Sequence, residues 1–196
     1  MNVFREALQI FTTGGGIMYM LGGVAFILYA SAFAALAYVN RGNLTGKDAE
    51  EWPEWLEDPE HAKGRMGEAL RYVLHGDRLT IKTVQRRVRE VRLNLVSAID
   101  RRLLVINTLT AAAPLAGLLG TVMGMLAMFG GLAQGGAGME AVASGMQEAL
   151  ITTQTGLTIA LPGLFIALVV KGKRDAISGA LARLESLILT TRFKKG

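Results

Sequence analysis

The chain reads as an all-α integral membrane protein with three transmembrane helices and a helical bundle on the cytoplasmic side. Three observations predict this. Residues 17–39, 103–129 and 149–170 contain no Asp, Glu, Lys or Arg. Only 19% of the 196 residues are charged, against 51% hydrophobic, where soluble domains average about 25% charged. Twenty of the 21 lysines and arginines fall in two segments, 40–102 and 171–196, a division made by a membrane.

The first span is residues 17–39, which at about 1.5 Å per residue reaches roughly 34 Å, enough for a ~30 Å hydrocarbon core. A secretory signal peptide is the alternative, and Ala32-Phe33-Ala34 resembles a cleavage site. The apolar run is too long for that, and Arg5 beside Glu6 leaves the leading segment without net positive charge. The positive-inside bias then orients the chain. Arg41, Arg101, Arg102, Lys171, Lys173 and Arg174 crowd the span ends. This makes 1–16 a periplasmic N-terminus, 40–102 a cytoplasmic helical region and 130–148 a short periplasmic connector. The last segment, 171–196, becomes a cytoplasmic amphipathic tail. The protein is expected in a membrane, in contact with lipid, and its positive charge reflects topology, with no nucleic-acid motif present.

Within 40–102, Trp52-Pro53-Glu54-Trp55-Leu56-Glu57-Asp58 reads as an acidic aromatic turn, its tryptophans placed to dock on the bundle. Asp58 followed by Pro59 has the form of an N-cap and first helical residue, predicting a helix to about His75 with Gly76 just beyond. A second helix starts near Thr80. Ile81, Val84, Val88, Val91, Leu95, Ile99, Leu103 and Ile106 recur every three or four residues and run unbroken into the second span. In the tail Ile177, Leu181, Leu184 and Ile188 repeat the spacing, a stripe able to pack on the first. The Gly- and Ala-rich residues 130–147 are too few for an external domain.

Function classes narrow quickly. With no cysteine and only His61 and His75, thiolate metal sites, disulfide scaffolds and Ser-His chemistry lack material. No metal, cofactor, catalytic residue or enzyme activity is expected. On a helical wheel Asn107, Thr110, Pro114, Thr121 and Met128 share one stripe of the second span, with Gly117 alongside. Thr153, Gly156, Ala160, Gly163 and Ala167 form a small-residue face on the third. Two explanations compete. Small residues and hydroxyls are ordinary glue between membrane helices, and Gly120-x-x-x-Gly124 fits that use. Alternatively the polar stripe lines a cavity holding water or another helix. Glu148 stands beside the third span, either as a first-turn acid favoured by the helix dipole or as a functional carboxylate. No carboxylate lies deep in any span, so if protons cross, a partner supplies the titrating group.

The run Ala113-Pro114-Leu115-Ala116-Gly117-Leu118-Leu119-Gly120-Thr121-Val122-Met123-Gly124, then Gly145-Met146-Gln147-Glu148-Ala149-Leu150-Ile151-Thr152-Thr153-Gln154-Thr155-Gly156-Leu157 and Ala160-Leu161-Pro162, resembles the MotA/TolQ/ExbB proton-channel family, nearest its ExbB/TolQ branch. The resemblance covers about residues 105–165. It implies a homopentamer whose second and third helices line a pore around two single-span ExbD/TolR-like partners, each with a membrane Asp, with a TonB/TolA-like protein as a further partner. Thr121, Glu148 and Thr153 fall on the family's functional polar positions; Pro114 and Pro162 fall on its helix-bending ones. The resemblance also implies the bacterial inner (cytoplasmic) membrane as the location, and as function a motor subunit that turns proton motive force into mechanical work on the envelope. Leu161 stands where the family usually has Ile, and the wholly apolar 163–170 lacks its common Asn. A structural scaffold subunit, or a flagellar or gliding stator of the same family, is the alternative; three spans argue against the flagellar form, which has four.

Overall fold

A computed structural model describes residues 15–40, 52, 55, 58, 62, 64–75, 80–133 and 139–193, Ala141 without its side chain. The described elements are helices: α1 (Gly15–Asn40), α2 (Gly64–Leu74), α3 (Ile81–Ala133) and α4 (Met139–Phe193). Three of them, α1, α3 and α4, are long and apolar enough to cross a membrane. The expected N-terminal segment, the Pro59 start and Gly76 lie outside the described residues.

Two compact units divide these helices. The first takes residues 1–32 and 104–167, the second residues 33–103 and 168–196.

In the first unit Met18, Leu21 and Leu28 of α1 are buried with Ala113 of α3 and Ile159 and Ala160 of α4. The α1 residues recur at helical spacing, so one stripe of α1 makes the core. Its other faces carry exposed Tyr19, Phe26 and Ile27. Exposed Leu115, Leu118, Val122, Leu126, Leu150, Leu157, Leu161 and Phe165 do the same for α3 and α4. Helices apolar all round belong in lipid or against other membrane helices.

The second unit is built on amphipathic stripes. Met66, Ala69, Leu70 and Val73 of α2 are buried, as are Val84, Val88, Ile99 and Leu103 of α3 and Ile177, Leu181, Leu184 and Ile188 of α4. Trp52 and Trp55 are buried as well. Arg174 of α4 makes a two-pronged pair with Asp100 of α3, Nε–Oδ1 at 2.9 Å and Nη2–Oδ2 at 3.1 Å. Arg87 of α3 donates to the carbonyls of Val73 and His75, closing the C-terminal end of α2. Helix ends leave such carbonyls without intrahelical donors.

Three sequence expectations change. The helix predicted from Asp58 begins instead at Gly64, since Asp58 and Ala62 are not helical. Gly64 has φ 72°, a left-handed conformation that costs an L-residue about 1–2 kcal/mol, and the chain turns into α2 there. Ile81, the first residue of the expected stripe, is exposed, and burial begins at Val84; Ile81 is only the opening residue of α3. The 130–148 stretch is largely helical, with α3 continuing to Ala133 and α4 starting at Met139. Ala, Met and Glu140 in the first turn of α4 outweigh the scattered glycines.

Candidate functional site

In the first unit α3 and α4 run antiparallel along a seam of small residues. The ladder reads from a Cβ placed on each glycine. At Gly124 it would meet Gly145 and Ala149, and at Gly120 the side chain of Thr152. At Gly117 it would lie 2.8 Å from the Thr152 carbonyl and 3.0 Å from the Thr153 Cα. At Gly156 it would lie 2.6 Å from the Ala113 carbonyl, and at Gly163 2.8 Å from Thr110 Oγ1. Residues rise along α3 as they fall along α4, for about 21 Å from Thr110 to Gly124. Gly117, Gly120, Gly124, Gly156 and Ala160 are all buried in this seam.

Hydroxyls sit on the same seam, and their hydrogen bonds fix their polarity. Thr153 Oγ1 donates across it to the Gly117 carbonyl at 3.2 Å. Thr121 Oγ1 donates to the Leu118 carbonyl of its own helix at 2.7 Å. A carbonyl only accepts, so each hydroxyl spends its proton there and is left with oxygen lone pairs to offer a second group. By the ladder Thr121 is level with Thr152 and close in depth to Thr153, as their places in the sequence suggested. Thr110 is half-buried, and its Oγ1 has no hydrogen-bond partner among the described residues. Asn107 is exposed.

Pro114 and Pro162 lie inside α3 and α4, which continue through them. Without an N–H, each leaves the carbonyl four residues earlier, at Thr110 and Thr158, without its helical donor. Beside the second gap the Tyr29 hydroxyl of α1 donates to the Ile159 carbonyl at 3.1 Å.

Glu148 is elsewhere. About 140° around α4 from Thr153, it faces α1. A Cβ on Gly15, which has φ 61°, would run into its carboxylate. Glu148 also borders a cavity of about 230 Å³ with Gly16, Ile17, Gly120, Met123, Gly124, Ala127 and Thr152. Because α4 starts at Met139, Glu148 lies in its third turn, and the reading of it as a first-turn acid of α4 is overturned. The helix terminus beside it is that of α1, whose partial positive charge favours a carboxylate. The structure thus brings Thr110 and Thr153 to the α3–α4 contact, leaves Thr121 bonded within α3, and sets Glu148 on the α1 side in a cavity it shares with Gly120, Gly124 and Thr152 of the seam.

Two residues were not singled out from the sequence. Thr152 is the buried polar residue of the seam, its hydroxyl on the Ala149 carbonyl at 2.9 Å. Its place four residues before Gly156, on the small-residue face, was the available signal. Tyr29 gave none, because an aromatic in an apolar run has many uses.

Comparison with known proteins adds the family. A profile described as the MotA/TolQ/ExbB proton channel family matches residues 61–182. The chain is 46% identical over 66 residues to a putative biopolymer transport protein ExbB-like 1 of Synechocystis sp., covering 32% of this chain and 26% of that protein. It is 36% identical over 110 residues to the biopolymer transport protein ExbB of Xanthomonas campestris pv. campestris, covering 54% and 39%. A putative ExbB homolog of Methanothermobacter thermautotrophicus is 27% identical over 175 residues, covering 82% and 61%. The chain thus spans between 26% and 61% of the length of these relatives.

Proposed function

Because this chain belongs to the MotA/TolQ/ExbB proton channel family, we propose that it is the ExbB/TolQ-like subunit of a motor that couples proton motive force to mechanical work in the cell envelope. Five copies surround the single helices of two ExbD/TolR-like partners, each carrying a membrane Asp, and a TonB- or TolA-like protein passes the work outward. The N-terminus is periplasmic, and the second unit with the C-terminus is cytoplasmic, in the inner membrane. The protein moves ions and catalyses no covalent reaction.

The observation that carries this reading is the polarity of the two hydroxyls. Thr121 and Thr153 have already donated to backbone carbonyls, so what remains to these two hydroxyls is acceptor capacity. An acceptor pair suits a partner group that arrives protonated, a carboxylic acid with a proton to give. A carboxylate would find neither of these two hydroxyls free to donate and would be costly to hold in apolar surroundings. The pair therefore favours passage of the partner Asp in its neutral form and disfavours the charged form, which ties its movement to proton loading. Glu148, on the α1 side, acts through its charge. Each proton that crosses 100 mV releases about 2.3 kcal/mol.

The test is co-expression with the neighbouring single-span protein, native mass of the extracted complex, and proton flux in vesicles. A pentamer with two partner copies is expected. Thr121→Val and Thr153→Val should each cut flux at least about tenfold with assembly retained, a loss of about 1.4 kcal/mol of barrier stabilisation. A monomer or dimer without partner, or valine variants with full flux, would overturn the proposal and leave a packing scaffold.

A further inference from the structure

Where the apolar runs of α1 and α3 end, in the second unit, four cations meet neighbouring groups in two different ways. Arg174 is neutralised by carboxylates, Asp100 and Asp175, both at 2.9 Å, and these hold its guanidinium pKa above the ordinary value. Arg65, Arg102 and Lys173 have only neutral partners among the described residues. The Arg65 guanidinium carbon lies 4.7 Å from the centroid of the Tyr38 ring, and that of Arg102 lies 4.6 Å from the same centroid. Arg102 Nη1 also donates to the Ala34 carbonyl at 2.6 Å. Lys173 donates to the side chain of Asn40. All four side chains of the set Tyr38, Arg65, Arg102 and Lys173 are half-buried, so the cations are held in place and do not swing freely in water.

Two guanidiniums on one ring repel each other, and the ring quadrupole offsets only part of that. Their carbons are within about 9 Å of each other, since each is within 4.7 Å of one centroid. Two cations held this close attract one anion together more strongly than either does alone. Each guanidinium carries five N–H donors, and Arg102 spends one on Ala34, so both keep donors for an anion. Tyr38 closes the apolar run 17–39 and Arg102 adjoins 103–129, the depth at which aromatic rings and basic side chains meet phospholipid headgroups.

We infer that Arg65 and Arg102, stacked on Tyr38, form a seat for a phosphate monoanion, supplied by the headgroup of an anionic phospholipid, with Lys173 as a nearby third charge. The seat fixes a lipid at the boundary where α1, α2 and α3 of the second unit come together. Binding is read without ion flux, so its failure leaves the channel proposal standing.

The test uses the purified full-length complex in detergent, titrated with dioctanoyl phosphatidylglycerol, dioctanoyl phosphatidylcholine and inorganic phosphate in parallel and followed by native mass spectrometry. Phosphatidylglycerol is expected to bind at least about tenfold more tightly than either of the others, because it adds two acyl chains to the phosphate and lacks the choline cation. Arg65→Lys and Arg102→Lys keep the charge but lose the stacked fork, and each should weaken binding about tenfold. Tyr38→Leu should do the same, while Arg101→Lys, at an exposed position, should leave it unchanged. Thermal melts confirm that the variants remain folded. Lysine variants that bind as well as the parent would overturn the seat in favour of diffuse attraction to basic surface. Equal binding of inorganic phosphate would overturn the lipid as the source.

Discussion

At Gly156 the backbone of α4 comes close to that of α3, and Gly156→Ala isolates what that closeness does. The added Cβ would stand 2.6 Å from the Ala113 carbonyl oxygen, 3.2 Å from the Gly117 Cα and 3.3 Å from the Ala113 carbonyl carbon. All three are backbone atoms and none can rotate away. Ordinary contact needs about 3.5 Å, so the helices must part by about 0.9 Å. Overpacking of this kind costs about 1–3 kcal/mol. The same shift stretches the Thr153–Gly117 hydrogen bond, now 3.2 Å, beyond useful range and forfeits about 1 kcal/mol more. Alanine's better helix propensity returns about 1 kcal/mol. The net is about 2 kcal/mol of destabilisation, or about 4–8 °C in unfolding midpoint for a chain of this size. The matched control is Gly179→Ala, also in α4, where a Cβ meets nothing within 4 Å; it should stabilise by about 0.5–1 kcal/mol. Thermal unfolding of both variants in the same detergent checks the pair. A Gly156→Ala protein as stable as the Gly179→Ala protein, with proton flux intact, would refute the argument that the seam is set by glycine contact.

Three further outcomes follow from local chemistry. Gly64→Ala, at φ 72°, should lose about 1–2 kcal/mol by denaturation, where an ordinary surface glycine would gain. Tyr29→Phe removes the donor to the Ile159 carbonyl. It should cost about 1 kcal/mol and speed amide exchange around residues 159–163, which a purely packing role of the ring would not. Glu90 accepts from the Tyr72 hydroxyl at 2.8 Å, and that bond with its charge raises the phenol pKa above 10.0. The contact therefore contributes in full at neutral pH and is lost as pH rises through the raised value; Glu90→Gln should bring the phenol's absorbance titration back down.

The sequence made some of this plain and left the rest to tertiary structure. The three spans were legible because a stretch without charge and long enough for a bilayer has few other uses. The unbroken α3 was legible from its three-and-four spacing. The start of α2 was not. Asp58-Pro59 is a sound local signal, but the turn into the helix is made by the left-handed Gly64 and by Gly67, which packs against the Ala62 backbone. The extension of α4 back to Met139 was hidden by glycines whose modest cost the alanines and Glu140 outweigh. That one shift moved Glu148 from a terminus to a helix interior. The partners of Tyr38 were unreadable because Arg65 and Arg102 reach it from two other helices. Clustering of arginine near span ends announced orientation and said nothing about stacking.

The sequence offered packing and ion passage as rival accounts of the threonines and glycines, and under the proposed function the two join. Thr153 reaches the Gly117 carbonyl only because Gly117 and Gly156 let the two backbones approach. A side chain at either glycine would separate donor from acceptor. Without that bond the Thr153 hydroxyl would be free to donate, and a charged carboxylate would gain a partner in the seam. The small residues thus set the polarity of the hydroxyl that the proposed proton transfer depends on. Thr153→Ser tests the link: it keeps the hydroxyl but frees its rotation, by removing the γ-methyl that limits the rotamers. In the channel reading it should leave the assembly intact and let the partner carboxylate linger, slowing flux less than Thr153→Val does. Equal flux in Thr153→Ser and Thr153→Val would refute the dependence on where the hydroxyl points.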